Sequence, residues 1–477
     1  MKRSILLFGL LAASGLFFGS IRSMAQQQPA VEGSWEGVLE VGAAKLRLVL
    51  HITKGPDGAL AAKADSPDQG AVGLPVDAIS RSNDAIHFEM KRLMVTYDGT
   101  LNREGSAIAG SFKQGGTAIP LTLKRVAGKA PTLNRPQEPK PPFPYAEEEV
   151  AYDNKTDNIR LGGALTLPPG KGPFPAVILI TGSGPQDRNE SLLGHKPFLV
   201  LADYLTRQGV AVLRVDDRGI GKSTGSVSNS TSAQFATDVL AGIEFLKGRK
   251  EINAKKIGLI GHSEGGLIAP IVAARSTDVA FIVLLAGTGL TGEEILYLQG
   301  ERIARANGAG DPEVARQRAQ QQLIFKAMRE EKDNAAAEKR LLAEFAKLRA
   351  AAPEAEKEEY NEQALQAQLK QVLTPWFRYF LTYDPRPTLK QVKCPVLALN
   401  GEKDLQVPPT ENLREIEAAL KAGGNRDVTI ARLPNLNHLF QNCKTGSPAE
   451  YVQIEETFSP AALDAIGAWV KKKANSN

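Results

Sequence analysis

The sequence predicts an α/β fold, a mostly parallel sheet with helices on both faces, preceded by a small all-β domain. Three observations lead to this prediction. Short apolar runs alternate with helical segments through the last two thirds of the chain, which is the pattern of repeated βα units. Before them, apolar and polar residues alternate between closely spaced turn signals, as in antiparallel strands. A proline-rich stretch separates the two patterns.

The composition is that of an ordinary globular protein with more than one domain. The chain has 477 residues, whereas one domain typically has about 100–200. Its 58 Lys and Arg against 53 Asp and Glu leave a net charge of +5, too small to indicate nucleic-acid binding. The two cysteines, Cys394 and Cys443, exclude a disulfide-rich scaffold and a Cys-built zinc site. They leave a single disulfide bridge open.

The first 25 residues have the pattern of a signal peptide. Lys2 and Arg3 precede an apolar stretch over residues 5–18, and residues 23–25, Ser-Met-Ala, form a small-x-small cleavage site. We expect cleavage after Ala25 and a secreted or periplasmic protein, in which a disulfide would persist. The alternative is an uncleaved anchor, which the short, glycine-interrupted apolar run disfavours. No later stretch is apolar enough to span a bilayer.

Residues 26–126 predict the small β domain, a barrel or a sandwich. Apolar residues recur at 46, 48, 50 and 52, at 86, 88 and 90, and at 119, 121 and 123, with turn signals between these runs. His51 and His87 fall on the polar side of their strands, so we expect them to face solvent rather than bind a metal. The opening GSWEG at 33–37 resembles the first strand of small lipocalin-like barrels.

Residues 127–145 predict a linker between two domains. Six prolines lie between positions 131 and 144, a density that neither a helix nor a central strand tolerates. Such a segment is typically a stiff, extended spacer.

Residues 146–477 predict the α/β domain. Buried-strand runs occur at 176–180, 210–215, 257–260, 281–285, 395–399 and 428–430. A helical run begins at Glu264 after the third of them, and Ser459-Pro460 opens a final amphipathic helix. In a parallel sheet covered on both faces, reactive groups are expected at the carboxyl ends of the strands.

A helical insertion over about residues 289–389 interrupts the βα pattern. Placed between two strands, it would lie above their carboxyl ends and act as a lid, although an inert helical excursion is the alternative. Its aromatic residues either line an apolar pocket or pack a core of their own; they are Trp376, Phe377, Tyr379, Phe380 and Tyr383.

The strongest chemical signal is GHSEG at 261–265, directly after a predicted strand and before a predicted helix. This is the G-x-S-x-G nucleophile elbow, in which small residues flank a sharp turn that exposes the serine hydroxyl. Ser263 is therefore the candidate nucleophile. A serine hydroxyl needs a base, normally a histidine oriented by a carboxylate, and both are expected downstream.

Elimination identifies the base. Of the five histidines, two belong to the β domain, His195 precedes the serine and His262 is its neighbour on the elbow, which leaves His438. For the acid, GEKD at 401–404 follows a predicted strand. Asp404 is the first candidate and Glu402 the second.

An oxyanion hole is expected from two backbone N–H groups, one after the nucleophile and one from the loop following an earlier strand. These are the N–H groups of Glu264 and of Ser183 in TGSGP at 181–185. Gly184 is the alternative to Ser183.

Four motifs together resemble the α/β-hydrolase superfamily, and more narrowly the bacterial carboxylesterases of the EstD type, which carry a small β domain before the hydrolase domain. They are TGSGPQDRN at 181–189, DDRGIGKS at 216–223, GHSEGG at 261–266 and GEKD at 401–404. The resemblance implies a triad of Ser263, Asp404 and His438, with the Ser183 and Glu264 amides as the oxyanion hole. It also implies hydrolysis of esters of short acyl groups without a cofactor. Thr181 stands where many members of the superfamily have His.

The sequence therefore predicts a carboxylesterase-type serine hydrolase that acts on a small-molecule ester and requires no metal or cofactor. Two alternatives remain. One is a serine peptidase of the prolyl-peptidase or aminopeptidase type, because such enzymes share this fold and triad. The other is a binding protein whose β domain holds a ligand beside a vestigial hydrolase domain.

Overall fold

The computed structural model describes residues 29–41, 44–55, 57–67, 71–114, 117–126, 134–351, 354, 357 and 362–475. The predicted signal peptide, with its cleavage site after Ala25, and the first part of the linker, residues 127–133, lie outside the described residues. Within the described part, no helix has the length and hydropathy needed to cross a membrane.

The first sheet consists of nine antiparallel strands in the order β4-β3-β2-β1-β9-β8-β7-β6-β5. Their bounds are β1 Gly33–Val41, β2 Ala44–Lys54, β3 Leu60–Ser66, β4 Ala71–Pro75, β5 Ala78–Ser82, β6 Ala85–Met90, β7 Val95–Leu101, β8 Ala107–Gln114 and β9 Thr117–Val126. Since β3, near one edge, also contacts β5 at the other, the sheet curls on itself like a barrel rather than forming a sandwich. Trp35, Phe88 and Tyr97 are fully buried inside it.

His51 and His87 are each about one third exposed, with side-chain accessibilities of 32% and 38%, and each pairs with a carboxylate. His51 Nε2 lies 2.8 Å from Asp65 and His87 Nδ1 lies 2.7 Å from Asp98. Among the described residues, no group of three or more His, Cys, Asp or Glu side chains is placed to hold a metal ion.

The described part of the spacer is docked on the α/β part of the chain. Residues 134–145 form turns and irregular structure. The Arg135 guanidinium donates to the carbonyls of Val452 and Ile454, both at 2.9 Å, and Gln137 accepts from the Thr457 N–H at 2.6 Å. These bonds satisfy backbone carbonyl and N–H groups of the segment at residues 452–457. This end of the spacer is therefore held against the α/β part of the chain.

The second sheet has eight strands in the order β10-β11-β13-β12-β14-β15-β16-β17. The bounds are β10 Ala146–Asn154, β11 Ile159–Leu167, β12 Phe174–Ile180, β13 Ala211–Val215, β14 Ile252–His262, β15 Val279–Leu285, β16 Val396–Gly401 and β17 Val428–Leu433. The six strands predicted from apolar runs are mutually parallel. The hairpin β10–β11, in which β11 runs antiparallel to its neighbours β10 and β13, was missed because glycines at 162 and 163 interrupt the apolar run.

Helices cover both faces of this sheet. On one face lie α2 Ser232–Lys247, α3 Gly265–Arg275 and α10 Pro409–Ala422. On the other lie α1 Pro197–Arg207 and α11 Pro460–Asn475. The predicted α/β-hydrolase architecture is therefore confirmed: a mostly parallel sheet whose two faces each bury an apolar core.

The chain between β15 and β16 is helical, at the position where the lid was expected. It forms α4 Gly292–Ala306, α5 Asp311–Glu330, α6 Asn334–Ala351, α7 Glu362–Val372, α8 Pro375–Thr382 and α9 Arg386–Leu389. Helix α8 packs against α4, α5 and α2. This contact places one aromatic helix of the insertion over the region where the strands of the parallel sheet end.

Cys394 and Cys443 are both free thiols, so the disulfide that the sequence left open is not formed. Burial raises the pKa of Cys394 to about 12 and that of Cys443 to about 11. Both side chains are therefore thiols at neutral pH, and neither is an activated nucleophile, because only the thiolate form attacks.

Candidate active site

Ser263 occupies the strained turn that a nucleophile elbow requires. It joins β14 to α3 with φ +53°, a left-handed conformation that costs free energy in any residue other than glycine. The Ser263 N–H donates to the Leu285 carbonyl at 2.8 Å, which holds the turn against β15. A Cβ at Gly261 would lie 2.0 Å from the Gly265 carbonyl oxygen. Only glycine at 261 therefore allows the turn to close this tightly.

Asp404 and His438 form a buried hydrogen-bonded pair. The His438 Nδ1 lies 2.8 Å from Asp404 Oδ2. The other carboxylate oxygen, Oδ1, accepts from the N–H groups of Gln406 at 2.8 Å and Val407 at 2.9 Å. Asp404 is 1% exposed. Its carboxylate is therefore shielded from water, and the three donors hold it in place. This leaves His438 Nε2 as the free ring nitrogen.

Ser263 and His438 line one cavity, although no direct hydrogen bond joins their side chains in the described chain. Catalytic hydrogen bonds of this type are often long in a free enzyme and shorten when substrate is bound. Glu402, the second candidate acid, is instead 45% exposed, and its carboxylate lies 3.9 Å from the Arg432 guanidinium. Between the two candidates the structure places Asp404, and not Glu402, at the histidine.

The candidate oxyanion loop, residues 181–186 (below, the oxyanion loop), is anchored by two carboxylates. Asp217 accepts from the Thr181 hydroxyl at 2.8 Å and from the Gln186 N–H at 2.9 Å. Glu190 accepts from the Gly182 N–H at 2.7 Å. Thr181, the residue that departs from the superfamily pattern, thus supplies one of the anchors of this loop.

Within the described chain, the backbone N–H groups of Ser183 and Glu264 have no hydrogen-bond acceptor. Both residues line the cavity that contains Ser263. Gly184 lines a separate small cavity behind the loop. Of the two candidates for the second oxyanion donor, the placement therefore favours Ser183.

Burial and charge shift the pKa values of three groups around the site. Burial raises the pKa of Asp217 to about 7. Burial also raises the pKa of Glu264, even though the Ser232 hydroxyl and the Trp376 indole donate to it. For His262, burial lowers the pKa, but the Glu190 carboxylate, the His438 carbonyl and the Asp404 charge together raise it more, so the net shift is upward. Such perturbed groups are concentrated at functional sites.

His262 and Glu190 are the site residues that sequence reasoning missed. His262 was set aside as the neighbour of the serine, and Glu190 was not singled out. In the structure they are 6% and 4% exposed, with Glu190 Oε1 2.9 Å from His262 Nδ1. The available signal was the position of His262 at the carboxyl end of a central strand, where polar groups of this fold converge.

The cavity above Ser263 has a volume of about 260 Å³ and an apolar side formed largely by the lid and by loops beside it. Its apolar lining includes Ile295, Leu296, Trp376, Phe380, Val407 and Leu439. The rings of Trp376 and Phe380 stack with their centroids 5.4 Å apart, and the Trp376 indole N–H donates to Glu264 at 2.7 Å. The lid helix α8 is therefore attached to the residue that follows the nucleophile.

Comparison with known proteins finds similar sequences and structures. The family profile described as X-Pro dipeptidyl-peptidase (S15 family) matches residues 157–430. Esterase EstD of Thermotoga maritima is 27% identical over 365 residues, which cover 76% of this chain and 78% of that protein. Acyl-coenzyme A thioesterase 1 of Rattus norvegicus is 28% identical over 141 residues, covering 29% of this chain and 30% of the thioesterase. Among solved structures, the esterase Pf2001 of Pyrococcus furiosus is 18% identical with a TM-score of 0.40, covering 69% of this chain and 93% of that one.

Proposed function

The chain belongs to the X-Pro dipeptidyl-peptidase (S15) family, and we propose that it is a serine hydrolase that cleaves carboxylic esters of short acyl groups. The observation that supports this most is the combination of a strained Ser263 with a His438–Asp404 pair at one cavity. This is the constellation of acyl-transfer enzymes, in which geometry and roles identify the triad. The similarity to an esterase over three quarters of the chain supports the same reaction.

The proposed reaction proceeds through an acyl-enzyme. His438 Nε2 takes the Ser263 proton while the hydroxyl oxygen attacks the ester carbonyl, and the Asp404 carboxylate stabilises the resulting imidazolium. The N–H groups of Ser183 and Glu264 donate to the oxyanion. The product of this attack is a tetrahedral intermediate. When it collapses, the C–O bond to the alcohol of the ester breaks, and the alcohol leaves with the proton from His438. Water then repeats the sequence on the acyl-enzyme, releasing the acid and restoring Ser263.

The hydrogen bonding of the acidic side chains in the cavity favours neutral ester substrates over peptides with a free amino terminus. Only two carboxylates line the cavity in the described chain. Glu190 accepts from the Gly182 N–H and faces His262, and Glu264 accepts from Trp376. Both carboxylates thus already accept hydrogen bonds from protein groups, whereas a substrate ammonium would lose its hydration on entering the cavity. The apolar lining suits an uncharged acyl chain instead.

A peptidase activity is the second candidate, because the S15 family description names a dipeptidyl-peptidase. A panel of 4-nitrophenyl esters with acyl chains of increasing length, tested beside X-Pro 4-nitroanilides, separates the two. We expect ester turnover with the highest kcat/KM at short chains and little or no anilide turnover. Anilide turnover without ester turnover would establish the peptidase. Failure of a fluorophosphonate to label Ser263 would instead favour a vestigial hydrolase that only binds ligands.

The cellular location and domain division are proposals supported by the sequence. The signal pattern of residues 1–25 supports export and a secreted or periplasmic mature protein beginning at Gln26. The two sheets draw their strands from separate segments, 33–126 and 146–433, which supports a β domain at 26–126, a linker at 127–145 and a catalytic domain at 146–477. Mass spectrometry of the exported protein tests the first proposal, because an intact N-terminus would contradict it.

A further inference from the structure

Glu190 and His262 form a second histidine–carboxylate pair at the cavity that Ser263 and His438 line, and the proposed triad does not use it. Glu190 lies in the loop that follows β12, and His262 is the last residue of β14. The two side chains are 5% and 8% exposed, with Glu190 Oε1 and His262 Nδ1 2.9 Å apart. A buried ion pair of this kind is costly to desolvate and is retained only where its geometry is well satisfied.

The hydrogen bonds determine the protonation of His262. Its Nε2 lies 3.0 Å from the backbone carbonyl oxygen of His438. A carbonyl oxygen only accepts, so this nitrogen carries a proton. Its Nδ1 faces Glu190 Oε1, the same oxygen that accepts from the Gly182 N–H at 2.7 Å. A carboxylate oxygen with two donors fits an imidazolium that donates from both ring nitrogens. The raised pKa of His262 agrees with this assignment.

Each end of the pair holds a different part of the catalytic machinery. Through Gly182, Glu190 holds the backbone immediately before the Ser183 oxyanion donor. Through its carbonyl, His438 is held by His262, on the rigid end of a central strand. The fit is close, since a Cβ at Gly182 would lie 3.2 Å from Glu190 Oε1 and 3.4 Å from Ser263 Cβ.

We propose that Glu190 and His262 are positioning residues that tie the oxyanion loop and the catalytic histidine loop to the same strand end. Both line the cavity around Ser263, but their hydrogen bonds run to the backbone of Gly182 and His438 rather than to the Ser263 hydroxyl or the His438 imidazole. This inference rests on the proposed hydrolase function, because its consequence is a set of distances among Ser263, His438 and the Ser183 N–H. An error of about 1 Å in such distances can cost 100-fold in rate.

Charged groups reach His262 from three loops, and all of them belong to the site. Glu190 comes from the loop after β12, Asp404 from the loop after β16 and His438 from the loop after β17. The imidazole rings of His262 and His438 lie 4.8 Å apart. Replacing either member of the pair by an uncharged residue therefore changes both the position of His438 and the electrostatic potential around it.

The test compares Glu190→Gln, His262→Gln and the double variant with the unsubstituted protein. Both single variants keep the approximate volume but remove the ion pair. We measure kcat and KM for 4-nitrophenyl butyrate, the rate constant for labelling of Ser263 by a fluorophosphonate, and the folded fraction by circular dichroism. The matched control is His195→Gln, another buried histidine with both ring nitrogens hydrogen-bonded, whose partners are the Thr457 hydroxyl, the Tyr451 carbonyl and the Gln441 side-chain amide.

We expect each single variant to lower kcat and the labelling rate by about 30- to 100-fold, with KM changed less than about threefold. The double variant is expected to be no slower than the slower single variant, because residues that act as one unit are not additive. The control should retain kcat within about twofold per folded molecule.

Three results would overturn the inference: single variants with kcat and labelling rates within twofold of the unsubstituted protein, multiplicative losses in the double variant, or an equal loss in the His195→Gln control. Failure of the proposed function is distinguishable from all of these, because the unsubstituted protein would then neither hydrolyse the ester nor react with the fluorophosphonate. Should Glu190→Gln fail to fold, His262→Gln and its control still decide the question.

Discussion

Replacing Asp404 by Asn tests the triad most sharply, because the structure predetermines how the new amide must orient. Oδ1 of Asp404 accepts from two backbone N–H groups, those of Gln406 and Val407. In the Asp404→Asn variant, only the amide oxygen accepts hydrogen bonds, so it must take this position. The amide NH₂ then points at His438 Nδ1, where the carboxylate Oδ2 lies at 2.8 Å in the unsubstituted protein.

This orientation stabilises the wrong tautomer of His438. The ring nitrogen Nδ1 must become an acceptor, which moves the proton to Nε2 and leaves no lone pair to receive the Ser263 proton. Triads with this defect lose about 10⁴-fold in kcat, equivalent to about 5 kcal/mol of transition-state stabilisation. The fold should survive, because volume and both backbone hydrogen bonds are kept; we expect the free energy of unfolding to fall by less than about 2 kcal/mol.

The assay measures kcat and KM for 4-nitrophenyl butyrate together with the free energy of unfolding in urea. Glu402→Gln is the control. The Glu402 side chain is 45% exposed, and its carboxylate lies 3.9 Å from the Arg432 guanidinium, a long distance for an ion pair. The kcat of this variant should stay within about twofold, because such surface pairs contribute little. A loss of less than tenfold in Asp404→Asn with the fold intact would refute the tautomer argument. A larger loss in Glu402→Gln than in Asp404→Asn would transfer the acid role to Glu402.

The remaining predictions concern the nucleophile, the cavity, the buried acid, the spacer and metals. Ser263→Ala should remain folded, lose nearly all turnover and resist fluorophosphonate labelling; hydrolysis at the unsubstituted rate would contradict its role. Trp376→Ala removes an indole that walls the cavity, so the acyl length with the highest kcat/KM should increase by about two or more carbons, each worth up to about 0.8 kcal/mol; an unchanged optimum would place the acyl group elsewhere. Because the pKa of Asp217 is raised to about 7 in the folded protein, its contribution to stability is present below its ordinary value and is lost as pH rises toward 7. Asp217→Asn should therefore reduce the difference in unfolding free energy between pH 5 and pH 8 by about 3 kcal/mol, and an undiminished difference in urea titrations would refute this. A chain beginning at residue 134 should fold cooperatively, whereas one beginning at 144 loses the Arg135 bonds and should have a lower Tm; equal Tm values would show that the docked spacer adds no stability. Activity should survive EDTA, because triad chemistry uses only protein groups, and a loss that added metal restores would contradict it.

The sequence alone determined the architecture and pointed to Ser263 as the candidate nucleophile, because both depend on local patterns. The change from period-two alternation to buried runs separated by helices requires an antiparallel region followed by a βα sheet, as observed. The G-x-S-x-G turn is a steric requirement contained in five consecutive residues, and the φ of +53° at Ser263 follows from it. His438 was identified by counting, since only five histidines exist.

Tertiary structure decided everything that depends on where separate loops meet. The choice of Asp404 over Glu402, two residues apart, depends on the turn that points one carboxylate inward and leaves the other in solvent. Likewise, the docking of the spacer depends on carbonyls more than 300 residues away along the chain.

The Glu190–His262 pair illustrates the limit most clearly. Its two bonds join residues separated by 72 and 176 positions in the sequence, and no periodicity or motif records such a distance. A local pattern reports the sterics and burial of neighbouring residues, whereas hydrogen bonds between loops form only after the strands have brought those loops to one edge of the sheet. The candidate triad can thus be predicted from the sequence, but the groups that contact its loops become visible only in the fold.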